Sequence, residues 1–187
     1  MSFPWDPLPF ATQGDADQDI TFTMVGRIVS GWETIEFSLC LIHSAFLGDP
    51  GGEAMRLYGK ERRSLPNRLS GLGEAACDYF VKNINQTREA EFHHLVRAVE
   101  LTYERRNDVI HGIVTRIDNI QFFREKLTDP DRLPQFAVVP PYHSVSRHGT
   151  DGFPLYALSS RELIMFETRL APLLVGLEDF RKRLAQP

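Results

Sequence analysis

A helix is predicted to end in the ten residues Tyr103-Glu104-Arg105-Arg106-Asn107-Asp108-Val109-Ile110-His111-Gly112. Apolar residues recur at helical period through residues 92–110, and Gly112 is typical of the position that follows a helix. A cation near a helix C-terminus interacts favourably with the helix dipole, which accounts for His111 without any function. Arg106 lies on the apolar stripe, where a guanidinium needs a carboxylate or phosphate partner. Arg106 is therefore the more informative of the two residues.

Helical periodicity also predicts the segments on either side of this one. The first long helix covers residues 19–46, and the last begins at Ser159, which forms a capping-box pattern with Glu162. Pro172 is expected to kink or divide the last helix. The remaining helices are predicted at residues 53–59, 65–83 and 87–112. Thr87 is the predicted N-cap of the helix at residues 87–112.

Two segments do not follow the helical pattern. Residues 1–18 contain three prolines and are predicted to form an extended N-terminal arm, which packs on the domain or on a partner chain. Residues 113–158 carry turn-forming sequences between short apolar runs, and we expect a small antiparallel β flap inserted before the last helix. Its predicted strands are residues 120–124, 136–139 and 153–158.

Composition limits the possible functions. The chain has 187 residues, 42% hydrophobic and 25% charged, which fits one globular domain over residues 19–187. A net charge of −4 argues against coating nucleic acid by bulk charge but is compatible with a local basic site. Two cysteines, Cys40 and Cys77, are expected to be buried thiols. No signal peptide or transmembrane segment is recognisable, so a cytoplasmic protein without membrane association is the default expectation.

A few other residues are candidates for a site. Glu36 falls on the apolar stripe of the first helix, so either the stripe has a solvated edge or Glu36 faces a cation. A basic cluster of Lys60, Arg62, Arg63 and Arg68 is either a solvated surface or an RNA-binding patch, to which Arg105 could add. Glu89 and His93 supply only two ligands, so no metal site is predicted.

The stretch from Arg106 to His111 resembles the motif of HEPN-domain proteins, in which His follows Arg after four to six intervening residues. Asn107 is the preferred polar residue directly after the Arg. The stretch Gly31-Trp32-Glu33-Thr34-Ile35-Glu36 is similar to the first helix of bacterial HEPN-like proteins. The resemblance covers roughly residues 20–185 and implies a mainly α, up-down helical bundle. The flap departs from the minimal bundle, and Ile113 stands where AMPylation-regulated relatives carry Tyr.

This resemblance implies a function. HEPN proteins commonly form homodimers that join two Arg/His motifs, and many are endoribonucleases that need no metal or other cofactor, often toxins or phage-defence components. Here His111 would assist attack by the RNA 2′-OH or protonate the leaving oxygen. Arg106 would hold the phosphate, Asn107 would position one of them, and Glu36 would support Arg106. A cognate antitoxin would be a possible further partner.

Two other readings use the same residues. The protein could be a non-catalytic HEPN-like module that binds nucleotide, RNA or a protein partner through the same groove. Alternatively, it could be a dimerisation scaffold in which Arg106 forms only a salt bridge with Glu36.

Overall fold

The computed structural model describes residues 3–49, 52–60 and 64–184. A two-stranded antiparallel sheet, β1 (Ile113–Arg116) and β2 (Phe136–Val139), lies between the fourth helix and the last in sequence. The prediction of a mainly α chain with a small flap before the last helix is confirmed. The α-helices of the described residues are α1 (Gln18–Phe46), α2 (Glu53–Lys60), α3 (Leu65–Lys82), α4 (Gln86–Ile110), α5 (Gln121–Arg124) and α6 (Ser160–Leu184). None of them is long and apolar enough to cross a bilayer.

The chain divides into two compact units. The flap unit comprises Met1–Gly31 and Thr102–Leu170, and therefore contains the N-terminal arm, the sheet and the C-terminal end of α4. The helical unit comprises Trp32–Leu101 and Ala171–Pro187. Helices α1, α4 and α6 each contribute residues to both units.

An aromatic cluster forms the core of the helical unit. The ring of Phe46 lies edge-on to that of Phe92, with centroids 5.2 Å apart, and Phe180 packs on both. Tyr79 and Phe80 of α3 complete the cluster. Four residues of the predicted α1 stripe are also fully buried in the core: Trp32, Ile35, Leu39 and Ile42. The periodic pattern therefore identified the buried face of α1 correctly.

The N-terminal arm packs on the flap of its own chain. The backbone N–H of Ala11 donates to the carbonyl of Ala157 at 2.8 Å, and Asp15 and Phe136 exchange two backbone hydrogen bonds of 2.8 Å. The Asp15 carboxylate also accepts hydrogen bonds from the backbone N–H and hydroxyl of Ser160 at the start of α6. These bonds make the arm an added edge of the flap, which explains why so apolar a segment is not a free tail.

The flap differs from its predicted form in two places. Residues 120–124 were expected to be a strand but contain the short helix α5, which turns the buried Phe123 into the apolar cluster beneath the flap. The strand that pairs with β2 is instead β1, which follows Gly112 directly. Residues 153–158 contribute only isolated bridges, such as Val138 with Leu158. Short apolar runs have no period long enough to distinguish a strand from a helical turn.

Helices α4 and α6 each begin with a side-chain cap, and Pro172 lies inside α6. The backbone N–H of Arg88 donates to Asn85 Oδ1 at 3.0 Å, so Asn85 caps α4 and the expectation of Thr87 as N-cap is wrong. One half of the predicted capping box of α6 is confirmed, since Glu162 accepts a hydrogen bond from the Ser159 backbone N–H at 3.0 Å, and the Ser159 hydroxyl donates to the same carboxylate at 2.6 Å. Pro172 does not divide α6, which is continuous through it.

The thiols are less buried than expected. Cys40 is half-buried, and its thiol approaches the carbonyl of Met55 at 3.8 Å. Cys77 is exposed on α3, so the prediction that both thiols are buried is wrong for this residue. The apolar stripe of α3 passes beside position 77 rather than through it, because the buried neighbours are Ala75, Ala76 and Phe80.

Gly112 ends α4 because two backbone segments approach each other closely, and not because it adopts a left-handed conformation. Positive φ angles occur at Gly48 and Gly152 among the described glycines. A Cβ atom at Gly112 would lie 2.2 Å from Val138 Cγ1 and 2.9 Å from the carbonyl oxygen of Asp108. The absence of a side chain therefore lets the chain turn from α4 into β1 directly beside β2.

We expect Gly112→Ala to lower the free energy of unfolding by about 1–3 kcal/mol, because the new methyl group must displace both neighbours. Urea denaturation followed by far-UV circular dichroism measures the change. Gly26→Ala is the matched control: no atom lies within 4 Å of a Cβ there, and the site is an exposed position inside α1. Alanine should stabilise that position by about 0.5–1 kcal/mol. Equal effects at the two glycines would contradict the close-approach explanation.

Candidate functional site

A cleft of about 700 Å³ in the flap unit joins the C-terminal end of α4 to the flap. Three of its lining residues are histidine or arginine, and none is aspartate or glutamate. The lining residues are Asn107, His111, Ile113, Pro141, His143, Ser144, Val145, Ser146, Arg147 and Tyr156.

The structure places two of the three predicted catalytic residues in this cleft. His111 is exposed and Asn107 is half-buried, and both line it. Arg106 is not among the lining residues. Its Nη1 donates to Asn107 Oδ1 at 2.9 Å, and its guanidinium lies 5.8 Å from the centroid of the Tyr103 ring. Asn107 thus connects Arg106 to the cleft by one hydrogen bond.

Glu36, predicted to support Arg106, belongs to the helical unit. Its Oε1 accepts a hydrogen bond from Trp32 Nε1 at 3.0 Å, and its Oε2 forms an ion pair with Arg68. The Glu36 side chain is 11% exposed, so this pairing satisfies a largely buried carboxylate on the apolar stripe. The cation expected near Glu36 is therefore found in Arg68, and an interaction of Glu36 with Arg106 stays a prediction.

Only part of the predicted RNA-binding set lies among the described residues. Lys60 is exposed at the end of α2, whereas Arg62 and Arg63 lie outside the described residues. Arg105 is turned towards a carboxylate: its Nη1 lies 2.8 Å from Asp108 Oδ2. An RNA-binding role for these residues stays a prediction.

Asp108 anchors the flap to α4. Its side chain is 5% exposed and lies between two guanidiniums, with Arg105 Nη1 at 2.8 Å from Oδ2 and Arg147 Nε at 2.8 Å from Oδ1. Arg147 comes from a 3-10 turn of the flap, Val145–Arg147. The hydroxyl of Tyr156 also donates to the backbone carbonyl of Asp108 at 2.8 Å. Two residues of the flap thus bind the same residue of α4, and both line the cleft.

Burial and charge act in opposite directions on this network. Burial raises the pKa of the Asp108 carboxyl, and the Arg105 and Arg147 guanidiniums lower it in part. Burial also raises the pKa of Tyr156, and the negative charge of Asp108 adds to the effect. The Tyr156 hydroxyl therefore remains protonated at neutral pH and keeps its hydrogen bond to α4.

The flap half of the cleft is not predictable from the sequence. His143 and Arg147 lie in a polar segment with no recognisable motif around them. The two residues are four positions apart in this segment, a pattern that is common in solvent-exposed segments of any protein. Their proximity to His111 depends on the packing of the flap against the end of α4. That packing cannot be predicted from the local sequence.

No protein-family model, no curated protein and no solved structure matches this chain. The resemblance of Arg106–His111 to the HEPN motif therefore stays a hypothesis. Among the described residues, no group of three or more histidine, cysteine, aspartate or glutamate side chains is placed to hold a metal ion.

We expect Asp108→Asn to lower the free energy of unfolding by about 2 kcal/mol, because it leaves two cations near a buried neutral amide. The figure is modest because Arg105 and Arg147 are 22% and 28% exposed and can turn towards water. Thermal and urea denaturation measure the loss. Glu100→Gln is the control, since it removes an exposed ion pair with Arg97 and should have little effect. No destabilisation in Asp108→Asn would show that the flap does not depend on this carboxylate.

Proposed function

We propose that this protein binds RNA in the cleft and cleaves its phosphodiester backbone without a metal ion. The observation that carries the proposal is the composition of the cleft, which brings His111, His143 and Arg147 together with no carboxylate among the lining residues. Two imidazoles and a guanidinium are groups that can bind a phosphodiester and move protons near neutral pH. The resemblance of Arg106–His111 to the HEPN motif supports the same chemistry.

The proposed reaction needs one general base and one general acid. One imidazole takes the proton from the 2′-OH, whose oxygen then attacks the adjacent phosphorus atom. The bond from phosphorus to the 5′-oxygen breaks, and the second imidazole supplies the proton that this leaving oxygen needs. The products are a 2′,3′-cyclic phosphate and a free 5′-hydroxyl. His111 and His143 are the residues that we assign to these two roles.

Arg147 is the residue that we assign to the phosphate. Its Nε lies 2.8 Å from Asp108 Oδ1, and this ion pair keeps the guanidinium at the edge of the cleft. The Nη groups are then the donors for the phosphate oxygens, a geometry that suits arginine. Arg106 contributes through Asn107, whose side-chain oxygen it binds. Arg147 would thus be the main ligand of the phosphate, the role that the HEPN resemblance implies for Arg106.

RNA cleavage in the presence of EDTA is the direct test. We expect the wild-type protein to cut mixed RNAs and to leave cyclic phosphate ends. His111→Ala and His143→Ala should each slow cleavage by about a hundredfold or more, as expected for loss of a general acid or base. Arg106→Ala, which removes the hydrogen bond to Asn107, should also slow it. Gel analysis of end-labelled RNA gives the rates and the product ends.

His94→Ala is the matched control, because His94 is exposed on α4 and does not line the cleft. Cleavage that persists in both His111→Ala and His143→Ala would exclude this cleft as the active site. Binding of RNA without cleavage would favour a non-catalytic module that uses the same cleft. If Arg106→Ala unfolds the protein and the wild type neither binds nor cleaves RNA, the dimerisation scaffold is favoured.

The HEPN resemblance further suggests a homodimer of toxin or phage-defence type, in which two copies of the motif share one composite site. We expect sedimentation equilibrium to give about twice the chain mass of 21.4 kDa. If the site is composite, mixing His111→Ala with His143→Ala should restore part of the activity, because a mixed dimer pairs intact residues from two chains. A strictly monomeric protein that cleaves RNA would refute the composite site but not the cleft.

A further inference from the structure

We infer that the flap holds an unpaired nucleobase on Tyr142 beside the cleft, so that the substrate class is single-stranded RNA. This inference rests on the proposed function, because it identifies the form of RNA that the same site accepts. Tyr142 is the residue between Pro141 and His143, both of which line the cleft. Nothing in the catalytic assignment uses Tyr142.

The exposure of Tyr142 is unusual for an aromatic residue. It is 92% exposed, the highest value among the exposed large hydrophobic residues of the described chain, and Val145 in the same loop is 81% exposed. Presenting this much apolar surface to water is unfavourable, and stabilisation is gained when a flat apolar partner covers it. The loop therefore presents an aromatic ring that contributes little buried surface to the fold.

Local contacts anchor the loop that carries this ring. The Tyr142 ring lies edge-on to the His148 ring, with centroids 6.1 Å apart. His148 is itself fixed, since its Nδ1 lies 2.9 Å from the carbonyl oxygen of Ser144. Pro141 is buried directly before Tyr142, and the turn Val145–Arg147 follows. The base of the loop is therefore anchored while the ring remains open to solvent.

The polar groups beside the ring favour a nucleotide over an apolar protein segment. His143 is adjacent to Tyr142 in sequence, and Arg147 is five residues further on, and both line a cleft without carboxylates. A stacking aromatic next to an arginine and hydrogen-bonding side chains is the arrangement by which proteins hold single-stranded nucleic acid. An apolar partner alone would gain nothing from the two histidines and the arginine.

The requirement for an unpaired base follows from geometry. In a duplex, each base is stacked on both faces and paired along its edge, so a protein ring can reach its face only after the base leaves the stack. RNA-binding proteins commonly stack bases of single-stranded loops and ends on aromatic side chains for this reason. The phosphate attached to that nucleotide would enter the cleft where His111 and Arg147 lie.

Binding of an uncleavable ligand separates this inference from catalysis. We would measure fluorescence anisotropy of a labelled single-stranded RNA of about ten nucleotides with 2′-O-methyl groups throughout, and of the same strand in a duplex. We expect wild type to prefer the single strand and Tyr142→Ala to weaken its binding about tenfold, the effect of losing one stacked base. Tyr142→Phe should bind as wild type does. Because Tyr142 is almost fully exposed, neither variant should affect folding.

Phe22→Ala is the matched control, since Phe22 is 52% exposed on α1 and does not line the cleft. Equal binding by wild type and Tyr142→Ala, or equal affinity for duplex and single strand, would overturn the inference. Cleavage that depends on His111 but not on Tyr142 would overturn it while the nuclease proposal stands. Tyr142-dependent binding by a protein that cuts no RNA would support it and overturn the nuclease proposal.

Discussion

The arrangement of the cleft depends on one buried carboxylate. Asp108 lies near the end of α4 and holds Arg105 of its own helix and Arg147 of the flap at 2.8 Å each. A buried carboxylate between two guanidiniums is stable only while both cations remain close, because an uncompensated buried charge is costly. The ion pair therefore requires the flap to lie against the same helix end that presents His111, and the two sides of the cleft stay together.

The flap is consequently part of the site and more than an insertion on a helical bundle. It supplies His143, Arg147 and Tyr156 to the cleft, while α4 supplies Asn107 and His111. The N-terminal arm supports this arrangement from the opposite edge of the sheet, through the paired backbone bonds of Asp15 and Phe136. Segments far apart in sequence therefore together position the histidine and arginine side chains of the cleft.

The sequence predicted those features whose causes are local. The buried face of α1 and the Glu162 cap of α6 follow from spacing and from single residues, whereas the end of α4 was predicted near Gly112 but is set by the close approach of β2. The sequence did not predict Arg147 beside His111, because that proximity arises from a tertiary ion pair between residues 39 positions apart. For Glu36, the apolar stripe allowed either a solvated edge or a cation partner, and the structure shows a cation, Arg68, which local spacing did not identify.

The contact of Gly112 with Val138 also limits how this chain can vary in length. Helix α4 has to end where β2 passes. Asn107 and His111 therefore each lie at a fixed number of residues from the end of the helix. One residue inserted between them would rotate the two side chains relative to each other by about 100°, with composition and charge almost unchanged. Loops of the flap away from the cleft carry no such constraint. Natural variants should therefore differ in the length of the outer flap loops and keep the spacing of the helix end.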